Sequence, residues 1–194
     1  MFYKDSKNIS AIGIGTGGYF YKDADAREKQ ADTIRFGIDL GMTHIDTAEA
    51  YGNGLAEEAV GIAIKGIRDN VFVSTKVSPE NLAYSNLLDA AEDSLKRLKT
   101  EYIDLYYIHW PNPNVPTQKT MSAMNQLLEE GKVRHIGVSN FSLKGLAEAR
   151  AVSASAIFAL QAEYNLLDRG VECGILPYCL KLPLPLVSIP MKVC

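Results

Sequence analysis

An α/β fold of the (β/α)8 TIM-barrel type, truncated after about six strands, is what this 194-residue chain predicts. Two patterns point to it. Short β-rich runs alternate with amphipathic segments about six times, as parallel βαβ units do. Strands two to six each end in or beside a polar group: Asp46, Lys76, His109, Ser139–Asn140 and Gln161. A doubly wound sheet gathers its reactive groups at one switch point. A barrel turns every C-terminal strand end towards one mouth, so the polar series favours the barrel.

The first strand spans 9–14, and glycines 15, 17 and 18 make its turn. Residues 24–40 carry Ala31, Ile34 and Ile38 at helical spacing, and Gly41 stops that helix. The second strand is 43–46. A helix follows over 55–67, with glutamates in its first turn where the helix dipole favours them. The third strand is 71–76. Residues 85–99 show the clearest helical stripe, through Leu87, Leu88, Ala91, Leu95 and Leu98. The fourth strand is 103–109 and the next helix 117–130. A fifth strand at 133–138 leads to a helix from Ser142 to about Val152, then to a sixth strand at 156–162 and a helix at 171–181. A seventh strand is expected near 183–190. Three prolines there each remove a backbone donor, which central strands tolerate poorly.

The chain reads as one incomplete barrel domain over 1–194, with a tail of different character from 181 on. Its formal charge of −3, with no basic run, argues against nucleic acid and against an anionic membrane surface as partner. Residues 1–8 lack an apolar core of the secretory type. The three cysteines, Cys173, Cys179 and Cys194, have no metal-like spacing. A cytoplasmic protein acting on a small molecule, with no metal, is the expectation.

Asp46 and Tyr51 close the second unit, Lys76 the third and His109 the fourth. Together they form a proton-transfer set. A phenol titrates near 10 in isolation, and a neighbouring ammonium favours its ionised form. A carboxylate holds the ammonium in place, and an imidazole orients a substrate carbonyl. A phenol so placed protonates an oxyanion as it forms. Each residue also has an ordinary reading: Asp46 as a turn cap, Lys76 as a solvated cation, His109 as a core histidine. Their coincidence at adjacent strand ends favours the chemical one. Ser139, Asn140 and Gln161 offer hydroxyl and amide groups suited to a planar carboxamide, although Ser-Asn after a strand commonly serves as a helix cap. Tyr19 and Trp110 are candidate pocket walls, with rim packing an equal reading for Tyr19. The glycine-rich 13–18 segment has the wrong spacing for a dinucleotide fingerprint.

On these residues the chain resembles the aldo-keto reductase superfamily. The resemblance rests on Asp-Thr-Ala-Glu-Ala-Tyr-Gly-Asn (46–53), Tyr-Ile-Asp-Leu-Tyr-Tyr-Ile-His-Trp-Pro (102–111), Gly-Lys-Val-Arg-His-Ile-Gly-Val-Ser-Asn-Phe-Ser (131–142) and Gln-Ala-Glu-Tyr-Asn (161–165). These run in family order and cover roughly 9–180. The resemblance implies an NADPH-dependent carbonyl reductase. Asp46, Tyr51, Lys76 and His109 would be its catalytic tetrad, with Tyr51 the general acid. Ser139, Asn140 and Gln161 would hold the nicotinamide carboxamide, with Thr16 and Asp46 also at the cofactor (NADP+ in its oxidised form) and Trp110 bordering the substrate. Two departures stand out. Gly17 occupies a place where many members carry an aromatic residue, and 184–191 has no clear equivalent of the nicotinamide-stacking aromatic.

Two other functional readings compete. A silent remnant or interaction module would self-associate through open edges at the first and sixth strands. A Schiff-base enzyme with Lys76 as nucleophile leaves Asp46, Tyr51 and Ser139–Asn140 unexplained.

Overall fold

Seven parallel strands in sequential order form one sheet in the computed structural model, which describes residues 9–18 and 24–189. The order of elements is β1 (Gly13–Gly15), α1 (Ala24–Asp39), β2 (His44–Asp46), α2 (Leu55–Ala63), β3 (Phe72–Val77), α3 (Tyr84–Leu98), β4 (Ile103–Ile108), α4 (Thr117–Glu129), β5 (Val133–Ser139), α5 (Leu143–Val152), β6 (Ile157–Glu163), α6 (Ile175–Lys181) and β7 (Leu186–Ile189). Each strand pairs with the next in the chain. β1 and β7 face one shared cleft of about 540 Å³, so the sheet is curled like a barrel whose wall is open on one side.

β7 is the seventh strand expected near 183–190, and it forms despite the prolines there. Its prolines flank the strand instead of interrupting it. Pro185 precedes the strand and still joins the ladder through its carbonyl, which accepts from Leu160 N at 2.9 Å, and Leu186–Ile189 then pairs with Leu160–Glu163. The free edges are therefore β1 and β7, not the first and sixth strands. The helix read over 171–181 is also divided. A 3-10 turn at Gly170–Cys173 precedes α6, with Gly174 at the junction.

Two sets of side chains hold the layers. On the outer face Ile45, Val73, Tyr106, Ile108, Ile136 and Leu160 bury against Leu87, Leu98, Met121, Met124 and Leu146 of the helices. The stripe predicted on α3 supplies part of this, because its apolar residues recur on one face of a 3.6-residue period. On the inner face Phe72, Leu105, Tyr107 and Ala159 make a second cluster with Phe158 and Val187. Tyr107 fits because β5 has no side chain opposite it: a Cβ on Gly137 would lie 2.5 Å from Cε1 of that ring.

Buried ions tie the helices to the strands. Glu57 of α2 is fully buried. Its carboxylate accepts from Arg97 Nε of α3 and from Thr75 Oγ1 of β3, both at 2.6 Å. Asp104 of β4 accepts from Val73 N at 2.9 Å and pairs with Arg68 at 2.7 Å and Arg134 at 3.2 Å. At Glu57 burial still outweighs Arg97 and Thr75 and pushes the carboxyl above the usual glutamate value, so the pair fixes geometry more than it adds stability. No helix among the described residues is long and apolar enough to cross a membrane.

Candidate active site

Parallel pairing brings the C-terminal strand ends to one rim, and alternate residues of each strand point inward. Asp46 of β2 lies opposite Ser74 of β3, Lys76 opposite Tyr107 of β4, and Ser139 of β5 opposite Gln161 of β6. These side chains therefore crowd into one end of the lumen.

Lys76 is fully buried, so it is not a solvated strand-end cation. Its Nζ donates to Asp46 Oδ1 at 2.5 Å and to Thr47 O at 2.7 Å. Asp46 is no turn cap. Its second oxygen, Oδ2, accepts from Gln161 Nε2 at 2.7 Å and from Ser74 Oγ at 3.1 Å. Burial pushes the Asp46 carboxyl up, but the Lys76 ammonium and the hydrogen bonds from Lys76 and Gln161 outweigh it and hold Asp46 below the usual aspartate value.

The ring of Tyr51 stands over this pair, with Lys76 Nζ 5.0 Å from its centroid. His109, largely buried just past β4, meets Tyr51 edge-on at 5.7 Å between centroids. Gly17 lies beneath the same ring: a Cβ there would be 3.3 Å from Tyr51 Cε2 and Cζ. The missing side chain lets backbone pack against the phenol, which accounts physically for a glycine at that place.

Asn140 takes the left-handed conformation, φ 60°, which asparagine tolerates better than most residues. Its Nδ2 donates to His109 O at 2.9 Å and to Ser139 Oγ at 3.1 Å, and its backbone N–H to Gln161 O at 3.0 Å. Three strand ends are thereby locked together. The helix cap that Ser139–Asn140 was the ordinary candidate for belongs to Ser142, whose Oγ accepts from Gly145 N. Gln161 Oε1 is buried with no hydrogen-bond partner among the described residues. An orphaned acceptor beside a hydroxyl and a second amide fits a carboxamide, which needs both a donor and an acceptor. Thr16 is fully buried, and its N–H and hydroxyl both donate to Asp46 O, at 3.0 and 3.2 Å. It holds the end of β2. Trp110, half exposed, borders the rim beside His109, and Tyr19 lies outside the described residues.

Sequence reasoning missed Ser74 and His44. Each lies two residues before a site residue, Lys76 and Asp46, and so on the same strand face. That two-residue spacing is the signal that would have found them.

A buried ammonium–carboxylate pair lies under a phenol with an imidazole at its edge, at one end of a curled parallel βα sheet. The chain belongs to the Aldo/keto reductase family, whose sequence profile matches residues 11–191. It is 43% identical over 182 residues to the aldo-keto reductase YhdN of Bacillus subtilis, covering 87% of this chain and 54% of that protein. It is 38% identical to the methylglyoxal reductase YeaE of Escherichia coli, covering 93% and 63%. Among solved structures, the thermostable aldo-keto reductase Tm1743 bound to epalrestat superposes with a TM-score of 0.91 at 43% identity, covering 95% of this chain and 69% of that one. A Klebsiella pneumoniae aldo/keto reductase in complex with NADP and acetate gives 0.87 at 41%, covering 93% and 63%. The chain thus spans between half and two thirds of the length of these two curated relatives.

Proposed function

We propose that this chain carries the catalytic site of an NADPH-dependent reductase of small aldehydes or ketones. The observation that supports this most is the buried Lys76 ammonium, held by Asp46 and lying under the Tyr51 ring with His109 at its edge. Ser139, Asn140 and Gln161 present amide and hydroxyl groups for the nicotinamide carboxamide, and the open acceptor of Gln161 is suited to its N–H. The cofactor, when bound, supplies the hydride to the carbonyl carbon.

The residues supply the rest. Tyr51 donates its phenolic proton to the carbonyl oxygen as negative charge builds there. The Lys76 ammonium stabilises the phenolate left behind, and Asp46 keeps that ammonium charged and aimed. His109 orients the carbonyl oxygen towards Tyr51, and Trp110 walls the pocket. Thr16 acts through the backbone it holds at Asp46. The test is cofactor oxidation by the 194-residue chain with methylglyoxal, the substrate class of the Escherichia coli relative. Carbonyl-dependent loss of NADPH absorbance, abolished in Tyr51→Phe, is the expected result. Equal rates in that variant would overturn the assignment of the proton donor.

A second reading is favoured by the open side of the sheet. β1 and β7 both line the cleft, and Phe36 of α1 and Leu40 just past its end are largely exposed. Unpaired edges recruit further strands, so the same open sheet suits a module that self-associates, with or without turnover. A strictly monomeric species in light scattering at high concentration would exclude it.

A further inference from the structure

Asp46 has three side-chain partners, and two of them are also claimed by the proposed reaction. Lys76 stabilises the phenolate and Gln161 holds the carboxamide. The third, Ser74, has no such second duty. It sits on β3 directly opposite Asp46, fully buried, with Oγ 3.1 Å from Asp46 Oδ2 and 3.0 Å from Nε2 of His44. His44 is itself buried, on the same strand face as Asp46, with its ring edge-on to Phe72.

Proton accounting orders this chain. A serine hydroxyl has one proton. An ionised Asp46 and the Ile45 carbonyl, 3.1 and 3.2 Å from Oγ, only accept, so the serine proton goes to that side, the charged carboxylate being the stronger acceptor. Ser74 then accepts from His44, which requires the proton on Nε2. The opposite tautomer would spend the serine proton on His44 and leave Ser74 Oγ facing Asp46 Oδ2, lone pair against lone pair, at 3.1 Å. The charged groups that bear on His44 are Asp46 from its own strand, Lys76 from β3 and Asp104 from β4. Burial outweighs the two carboxylates and favours the neutral ring, and a neutral ring with Nε2–H is what the chain needs.

We propose that Ser74 and His44 are positioning residues of this site. The His44–Ser74–Asp46 chain fixes the Asp46 carboxylate, and through it the Lys76 ammonium, while Gln161 offers its open Oε1 to a bound carboxamide. The inference rests on the reductase reading for its purpose but not for its geometry.

The experiment has two arms on the full 194-residue chain. The first is nitrogen-15 NMR of the imidazole without cofactor. His44 is expected as the neutral Nε2–H tautomer at neutral pH, and Ser74→Ala is expected to disperse it into a tautomer mixture. A parent spectrum showing Nδ1–H, or one unchanged by Ser74→Ala, overturns the proposal whatever the activity. The second arm is kinetic. Ser74→Ala is expected to lower kcat roughly ten- to hundredfold, the scale of losing a hydrogen bond to a charged group, with KM little changed. Its acid limb should move to higher pH. His44→Gln, which keeps an N–H donor towards Ser74, is expected to retain most of kcat where His44→Ala does not. Equal losses in the two His44 variants would overturn the role of the donor. A parent chain without turnover removes the reductase reading and leaves the NMR arm to decide the inference.

Discussion

The ammonium of Lys76 lies 2.5 Å from Oδ1 of Asp46 with neither side chain reaching far into solvent: Lys76 is fully buried and Asp46 is 14% exposed. A pair held this deep is stable only while both members are present, because removing one strands the other in low dielectric. Lys76→Met is therefore expected to abolish reductase activity and to destabilise the fold by about 3–5 kcal/mol. Urea unfolding followed by circular dichroism measures the second effect. A midpoint equal to the parent's would show that Asp46 is rescued by Ser74 and Gln161 alone.

Tyr51→Phe leaves the ring and removes the hydroxyl. The ring already packs over Gly17, so the fold is expected to persist with unchanged melting. The loss in kcat should be about 10²–10⁴-fold, the span of general acid catalysis. A variant that melts earlier and loses activity only in proportion would assign Tyr51 to packing.

In the proposed function, hydroxyls and amides at the rim hold a carboxamide. Phosphates are gripped chiefly by charge-assisted contacts. This chain is accordingly expected to bind NADPH with a Kd above the micromolar range and to bind reduced nicotinamide mononucleotide about as well. Fluorescence titration with both compares them directly. NADPH binding at micromolar affinity or better would show a phosphate site that the described residues do not account for.

A methyl group on Gly137 meets the Tyr107 ring at 2.5 Å and Ala159 O at 3.0 Å. The backbone oxygen cannot move aside cheaply. Gly137→Ala is expected to cost about 1–3 kcal/mol, the range for overpacked interiors. The shift of the urea midpoint reports it, and Gly15→Ala, which meets nothing, serves as the control.

Acid should weaken the fold through two of its histidines. Burial lowers both His44 and His135 from the ordinary 6.5. Below that value the unfolded chain takes up protons that the folded chain refuses. Their contribution is present in full above 6.5 and is lost as pH falls through their folded values. Asp46, held below 3.8 by Lys76, adds a second loss further down, as pH falls below 3.8 towards its own folded value. Urea midpoints measured from about pH 7.5 down to about pH 5.5 are expected to decline, and less so in His44→Gln. A flat profile over that interval would mean that both rings accept protons inside the fold.

The strand-end logic that singled out Asp46, Lys76, His109, Ser139 and Gln161 needs only local information. The two-residue period of a strand and the parallel direction of βα units fix which end and which face each side chain takes. Ser74 and His44 obey the same period, but nothing local marks a serine as a partner of an aspartate on the next strand. That depends on register, which pairing between β2 and β3 sets.

What the sequence determined alone is the βα order, the stripe on α3, and the polar rim. Each follows from backbone geometry and the period of apolar residues within one segment. Only the tertiary structure decided that the proline-flanked segment becomes β7, that Gly137 yields its space to Tyr107, and that Gln161 reaches Asp46 across 115 positions of chain. Those outcomes arise from which strands close against each other, and closure is a property of the whole sheet that no single segment carries.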